Sequence, residues 1–306
     1  MKYYITAYLL FAVCFAQAHM EKIIGQEECK ICHKKEYGVW AGTLHNQTYD
    51  SLHVSSTTAK IMKRLKLSGS PKKQESCRRC HYTAKPRGSF IRTIGAIACE
   101  RCHGAAKDWV MIHNIADIDK TERRKKAGEA GMFHPGDVYG IANNCYSCHI
   151  IDDEKLVDRG RHPIGKEDFK FVVETQGKMR HNFTSGKGIN IPASPQRKRL
   201  FYIVGQSLEL QHYLRALGNS KKQRNFFLLT RARLKKCADE MVNIHKATNK
   251  KETEFILKVL SEVKVTPNNK AQLYKAADYI HNATRKLIDN YEIESISSLD
   301  ALLPKE

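Results

Sequence analysis

The chain has 306 residues, 52 Lys and Arg against 32 Asp and Glu, and a formal net charge of +20, which leaves room for one large domain or two ordinary ones. So basic a balance first suggests nucleic acid, but the export signal and cysteine motifs below argue against that partner. They favour a basic face turned toward acidic proteins or anionic lipid, set against the plainer reading of a solvated charged surface.

At the amino terminus, Lys2 precedes a short apolar run, Tyr8 to Phe15, and then Ala16-Gln17-Ala18. This order is that of a secretory signal over residues 1–18, with the mature chain starting at His19. The run is too short to span a bilayer, and no later stretch approaches spanning length. A lipid anchor on Cys14 is the rival reading, but Val13 suits that processing poorly. The mature chain is expected to be exported, periplasmic or otherwise outside the cytoplasm.

Ten cysteines in an exported chain would ordinarily suggest disulfides. Their spacing points elsewhere. Cys14 lies in the signal segment, and Cys237 stands alone in a helical stretch, where a buried thiol is expected. The other eight form Cys29-Lys30-Ile31-Cys32-His33, Cys77-Arg78-Arg79-Cys80-His81, Cys99-Glu100-Arg101-Cys102-His103 and Cys145-Tyr146-Ser147-Cys148-His149. Two cysteines three apart share one face of a helical turn, so both sulfurs can reach the vinyl groups of one porphyrin, and the next histidine comes under the iron. Paired zinc ligands and thiol-redox sites also use Cys-x-x-Cys, but neither needs a histidine after every second cysteine. The motifs therefore predict four covalently bound haem c groups, with His33, His81, His103 and His149 as proximal iron ligands. The varied intervening residues suggest that only sulfurs and imidazoles carry the chemistry. Residues 25–150 show no long helical periodicity, so haem is expected to serve as their core and its removal to leave them disordered.

Each iron also needs a sixth ligand or an open face, and that choice separates a wire from an enzyme. His45, His113, His134, His162 and His181 lie near the motifs in sequence; spacing alone does not assign them to particular irons.

From Ser194 the pattern changes. Ser194-Pro195 caps a helix running to Gly218, with Leu200, Phe201, Val204, Leu208 and Leu214 at helical spacing. Further helices start at Ser220, around Phe255 and at Thr266-Pro267, and four amphipathic helices on short linkers read as a bundle. His212, His245 and His281 read as helix-face residues, because no cofactor motif accompanies them. The bundle is either a cap that completes the fold or a docking module, the latter favoured by Lys221-Lys222-Gln223-Arg224.

Residues 25 to about 183 resemble the tetrahaem cytochrome c-554 family. The likeness rests on the four motifs in order, on Thr43-Leu44-His45, on Cys99-Glu100-Arg101-Cys102-His103-Gly104 after an Ile-Gly-Ala-Ile-Ala lead-in, and on Phe169-Lys170-Phe171 ahead of His181. The type member accepts electrons from hydroxylamine oxidoreductase in nitrifying bacteria, and most haems of the family have two histidine ligands. The resemblance implies that His45 ligates the haem of Cys99/Cys102, His113 that of Cys29/Cys32, and His181 that of Cys145/Cys148. In the type member the haem corresponding to Cys77/Cys80 is five-coordinate beneath a Thr-Pro-Phe stretch. Here the sequence reads His162-Pro163-Ile164, so His162 is expected to close that site, with His134 as the alternative.

The expected fold is mainly α: residues 19–193 form a haem-cored multihaem cytochrome c domain with little regular sheet, and residues 194–306 a helical domain. The expected function is single-electron transfer between redox partner proteins with acidic docking faces, by a carrier more than a catalyst, with peripheral membrane association open and no transmembrane segment. Two rivals stand beside it: a reductase of small nitrogen oxides using an open haem at Cys77/Cys80, and a subunit of a multihaem filament.

Overall fold

Short helices are what the first half of this sequence can support, because its apolar residues recur for only a turn or two at a time. In the computed structural model, which describes residues 20–184, 187–291 and 296–305, the chain forms two compact units. The expected signal segment with Cys14 lies outside the described residues.

The first unit comprises residues up to Thr58 and Gly69–Asp137. It holds α1 (Gln26–Cys32), α2 (Lys34–Ala41), α3 (Leu44–Ser51), the start of α4 (Ser56–Leu65), α5 (Glu75–His81), α6 (Cys99–His103) and α7 (Lys120–Glu129). Between α5 and α6 a hairpin pairs β1 (Thr83–Arg87) with β2 (Phe90–Gly95) in antiparallel register, Arg87 opposite Phe90. Gly88 turns it at φ +60°, a value that suits glycine in a two-residue turn. The unit's own apolar core is small. One buried cluster consists of Ala106, Trp109 and Ala127, and other buried side chains such as Trp40, Tyr82 and Ile97 lie outside it.

The second unit comprises Ala59–Ser68 and the chain from Val138 onward. It begins its main run with α8 (Val138–His149), followed by α9 (Glu154–Asp158) and α10 (Phe171–Gln176). Four longer helices follow: α11 (Pro195–Gly218), α12 (Asn225–Thr248), α13 (Lys251–Glu262) and α14 (Lys270–Asp289). The Ser194 hydroxyl caps α11 by accepting from Arg197 N, with Pro195 in the first turn, as the sequence predicts. The expectation of four amphipathic helices fails for α11. It is packed by α8, α10, α12 and α14, and even its Gln206, Ser207, Glu209 and Gln211 are buried. A helix covered on all sides needs no polar stripe. Gly205 allows the close packing, since a Cβ there would lie 3.0 Å from the Phe171 Cβ.

The molecule is mainly α, with one two-stranded sheet among the described residues. No described helix is long and apolar enough to cross a membrane. The change of composition at 193/194 does not coincide with the structural division, which falls between Asp137 and Val138. The physical reason is α8, whose Val138, Tyr139, Ala142 and Tyr146 are buried in the same core as the bundle helices.

Candidate haem-binding centres

All four motifs lie on helical turns. The first ends α1, where His33 N donates to Cys29 O at 2.9 Å; the second ends α5, the third is α6 itself, and the fourth ends α8. Cys29 and Cys99 meet through their thiols, so the first and third motifs share one location in the first unit. The bond from Cys29 lowers the Cys99 thiol, while that same neighbour, together with burial, pushes Cys29 up. Burial also raises Cys77. Two of the intervening residues have structural roles. Glu100 is 3% exposed and accepts three backbone N–H bonds: from Ile24 at 3.0 Å and Ala106 at 2.8 Å on Oε1, and from Gly25 at 2.8 Å on Oε2. It clamps the chain before the first motif onto the chain after the third. Tyr146, inside the fourth motif, is buried in the bundle core. The one sequence signal for Glu100 was a carboxylate among spacers that are otherwise basic or neutral.

Around the third motif the backbone leaves no room for side chains. Gly104 has φ +87°, and a Cβ on it would stand 2.2 Å from Gly131 O. The strap after Gly131 then pairs with the motif: Phe133 N donates to His103 O at 2.9 Å, and His103 Nδ1 meets Phe133 O at 3.1 Å.

Of the expected distal histidines, His113 is brought close to a proximal one. The rings of His33 and His113 are 6.2 Å apart between centroids and 30° from parallel. Two imidazoles on opposite sides of one metal, at bonds of about 2 Å each, have centroids about 6 Å apart. His113 Nδ1 sits 2.5 Å from Val110 O, which fixes the proton there and leaves Nε2 with its lone pair. His45, at the start of α3, lies against the lead-in to the third motif: its carbonyl accepts from Ile97 N at 3.4 Å, and Ile97 O accepts from the Trp40 indole at 2.7 Å.

His181 and His162 both belong to the second unit. Each turns Nδ1 to a backbone carbonyl, His181 to Met179 O at 2.6 Å and His162 to Pro163 O at 2.7 Å. Asn190 holds the loop of His181 by accepting from Asn182 N and donating to Arg180 O. His162 stands on a loop built against the end of the fourth motif, where Ile151 N donates to Ile164 O and a Cβ on Gly165 (φ +122°) would stand 2.1 Å from His149 O. His149 itself stacks on Phe169 at 4.0 Å between centroids. His81, by contrast, lies in the first unit. His134 is wired the opposite way: its Nδ1 accepts from Gly136 N at 2.9 Å, which puts the proton of the neutral ring on Nε2.

The residues suit covalent haem. Large apolar side chains, Ile31 at 67% and Leu44 at 75% exposure, stand in the first motif and beside His45, where a porphyrin face would cover them. Buried donors lacking a protein acceptor, the Trp109 indole N–H, the Tyr82 hydroxyl and Arg101 Nε, suit haem carboxylates.

The bundle histidines are engaged with protein groups. His212 Nε2 meets Asn143 Oδ1 at 2.9 Å, and burial lowers its pKa to about 4. His245 bonds Thr253 and His281 bonds the Tyr139 hydroxyl. Cys237 is buried, its thiol donating to Gln206 O at 3.5 Å.

The family model for cytochrome c554 and c-prime matches residues 28–104, the span that carries the first three motifs and His45. Comparison with curated proteins and with solved structures gives no match.

Proposed function

We propose, from the membership of this chain in the cytochrome c554 family, that it is an exported tetrahaem c-type cytochrome passing single electrons between redox partners. Membership in that family implies covalently bound haem c, which supplies a one-electron iron couple when bound. The protein's part is to fix the groups and set their surroundings. Cys29/Cys32, Cys77/Cys80, Cys99/Cys102 and Cys145/Cys148 would form the thioethers, and His33, His81, His103 and His149 the proximal bonds. The observation that carries the reading is the His33–His113 pair, whose rings stand 6.2 Å apart between centroids, so that both could hold the iron of one haem.

By the same reading His45 serves the Cys99/Cys102 site, supported by its backbone contact with Ile97, and His181 the Cys145/Cys148 site. His162 closes the Cys77/Cys80 site. Its support is the histidine in place of the type member's Thr-Pro-Phe stretch, together with an Nδ1 already committed to Pro163 O. With every iron held by two imidazoles, no face is left for substrate, which favours a carrier over a nitrogen-oxide reductase. The test is the ferric absorption and spin-resonance spectrum of purified holoprotein together with its haem content. Four low-spin haems per chain are expected. A high-spin signal, or ready binding of carbon monoxide by the ferrous protein, would overturn the closed Cys77/Cys80 site and favour the reductase.

A further inference from the structure

The most concentrated charge on the first unit is α7. Its first seven residues carry Lys120, Arg123, Arg124, Lys125 and Lys126 with only Glu122 among them. Among the described residues Lys126 pairs with Glu122 at 3.5 Å and Arg123 donates to Ile115 O at 2.8 Å, while Lys120, Arg124 and Lys125 are exposed and make no ion pair. Lys120 and Arg124 are like charges four apart, Arg123 and Lys126 three apart, and Lys120 sits at the positive end of the helix dipole. The helix keeps an arrangement that weakens it in isolation.

It is also mounted firmly beside the haem-binding segments. Ala127 is buried against Ala106 and Trp109, which follow the third motif. The chain leaving the helix becomes the Gly131–Phe133 strap that grips Gly104 and His103. The chain entering it is bound through Arg123 to Ile115, two residues past His113. Met111 (79%) and Ile115 (39%) add exposed apolar surface there. A small apolar patch beside a rim of one charge sign is the make-up of a transient docking face.

We propose that α7, with Met111 and Ile115, is the face on which an acidic redox protein docks to exchange electrons with the haem of Cys99/Cys102. The inference rests on the electron-carrier reading above and specifies its partner. Acidic protein is favoured over anionic lipid because α7 has only one buried residue, Ala127, and its exposed surface offers charge without an apolar stripe to enter a bilayer.

The test uses the holoprotein, the charge reversal R124E/K125E and a control reversal of equal size on the bundle, K236E/K258E. The probes are flavodoxin, a small acidic flavoprotein, and free riboflavin, both photoreduced. At low ionic strength R124E/K125E is expected to slow reduction by flavodoxin about tenfold or more, the control less than about twofold, and the difference to vanish near 0.5 M salt. Free riboflavin should reduce all three proteins alike, and an unchanged haem spectrum shows that the variants fold. Equal slowing of both variants, or of neither, overturns the proposal. So does a variant that keeps its flavodoxin rate but no longer sediments with phosphatidylserine vesicles, because the helix is then a lipid contact. If riboflavin leaves the wild-type haems oxidised, the electron-carrier reading itself falls.

Discussion

Glu100 lies where a charged side chain is least affordable and is satisfied by three backbone N–H groups that would otherwise be buried without acceptors. Each such donor costs about 1–3 kcal/mol when left unpaired. Glu100→Ala is therefore expected to lower the holoprotein's unfolding free energy by about 3 kcal/mol or more, with Glu100→Gln between it and wild type. Denaturant titration followed at the haem absorption band measures this, and a loss within about 0.5 kcal/mol would mean that the clamp carries little. A sequence motif displays cysteines and histidines openly, but not a carboxylate two of whose three partners are main-chain groups 75 and 76 residues away. The distal histidines were only half legible for a related reason. Proximity in sequence gave His113 and His134 the same standing, and the difference lies in whether the backbone meets Nδ1 with a carbonyl acceptor, as at His113, or with an N–H donor, as at His134. His113→Ala is expected to convert one haem of the holoprotein to high spin, whereas His134→Ala leaves the ferric spectrum unchanged. A new high-spin signal in His134→Ala would reverse that assignment.

Among elements, the bundle helices were the most readable, because long runs of apolar residues at helical spacing, one of them opened by Ser194-Pro195, advertise themselves. The central place of α11 was not readable. Its polar Gln206, Glu209 and Gln211 gave no sign of burial, yet Lys170 bonds Gln206 and Glu209 from one side and Glu240 of α12 completes the group. The burial of α11 has a pH consequence at His212, whose pKa falls to about 4 when folded against an ordinary 6.5. Between those values the unfolded chain binds the proton and the folded chain resists it, so stability is intact above about pH 6.5 and declines as pH falls toward 4. The decline from this one group is at most about 3 kcal/mol. His212→Gln keeps a donor for Asn143 without the titration, and the gap between variant and wild-type unfolding midpoints should shift across that window in the variant's favour. Parallel pH profiles from 7 to 4 would contradict it.

At the scale of the molecule, the two units are built on different principles. The second has a broad core of its own, from Val138 on α8 to Leu299 beyond α14. In the first, the described helices are at most ten residues long, below the roughly 12–15 residues at which a helix is even marginal alone. Its principal apolar cluster is three side chains. The sequence already suggested that residues 25–150 depend on haem; the structure moves the limit, because α8 is held by α11 and lies in the bundle's core. Mature chain expressed without a haem-ligation apparatus is therefore expected to keep a cooperative helical melt from the bundle. Proteases should clear residues 25 to about 137 and leave a resistant fragment starting close to α8. Mass spectrometry of the limiting fragments, beside the melt at 222 nm, reads both outcomes. Protection extending through α1–α7 in the haem-free chain would show that the first unit folds on its own side chains, and that the four motifs decorate a fold instead of creating one.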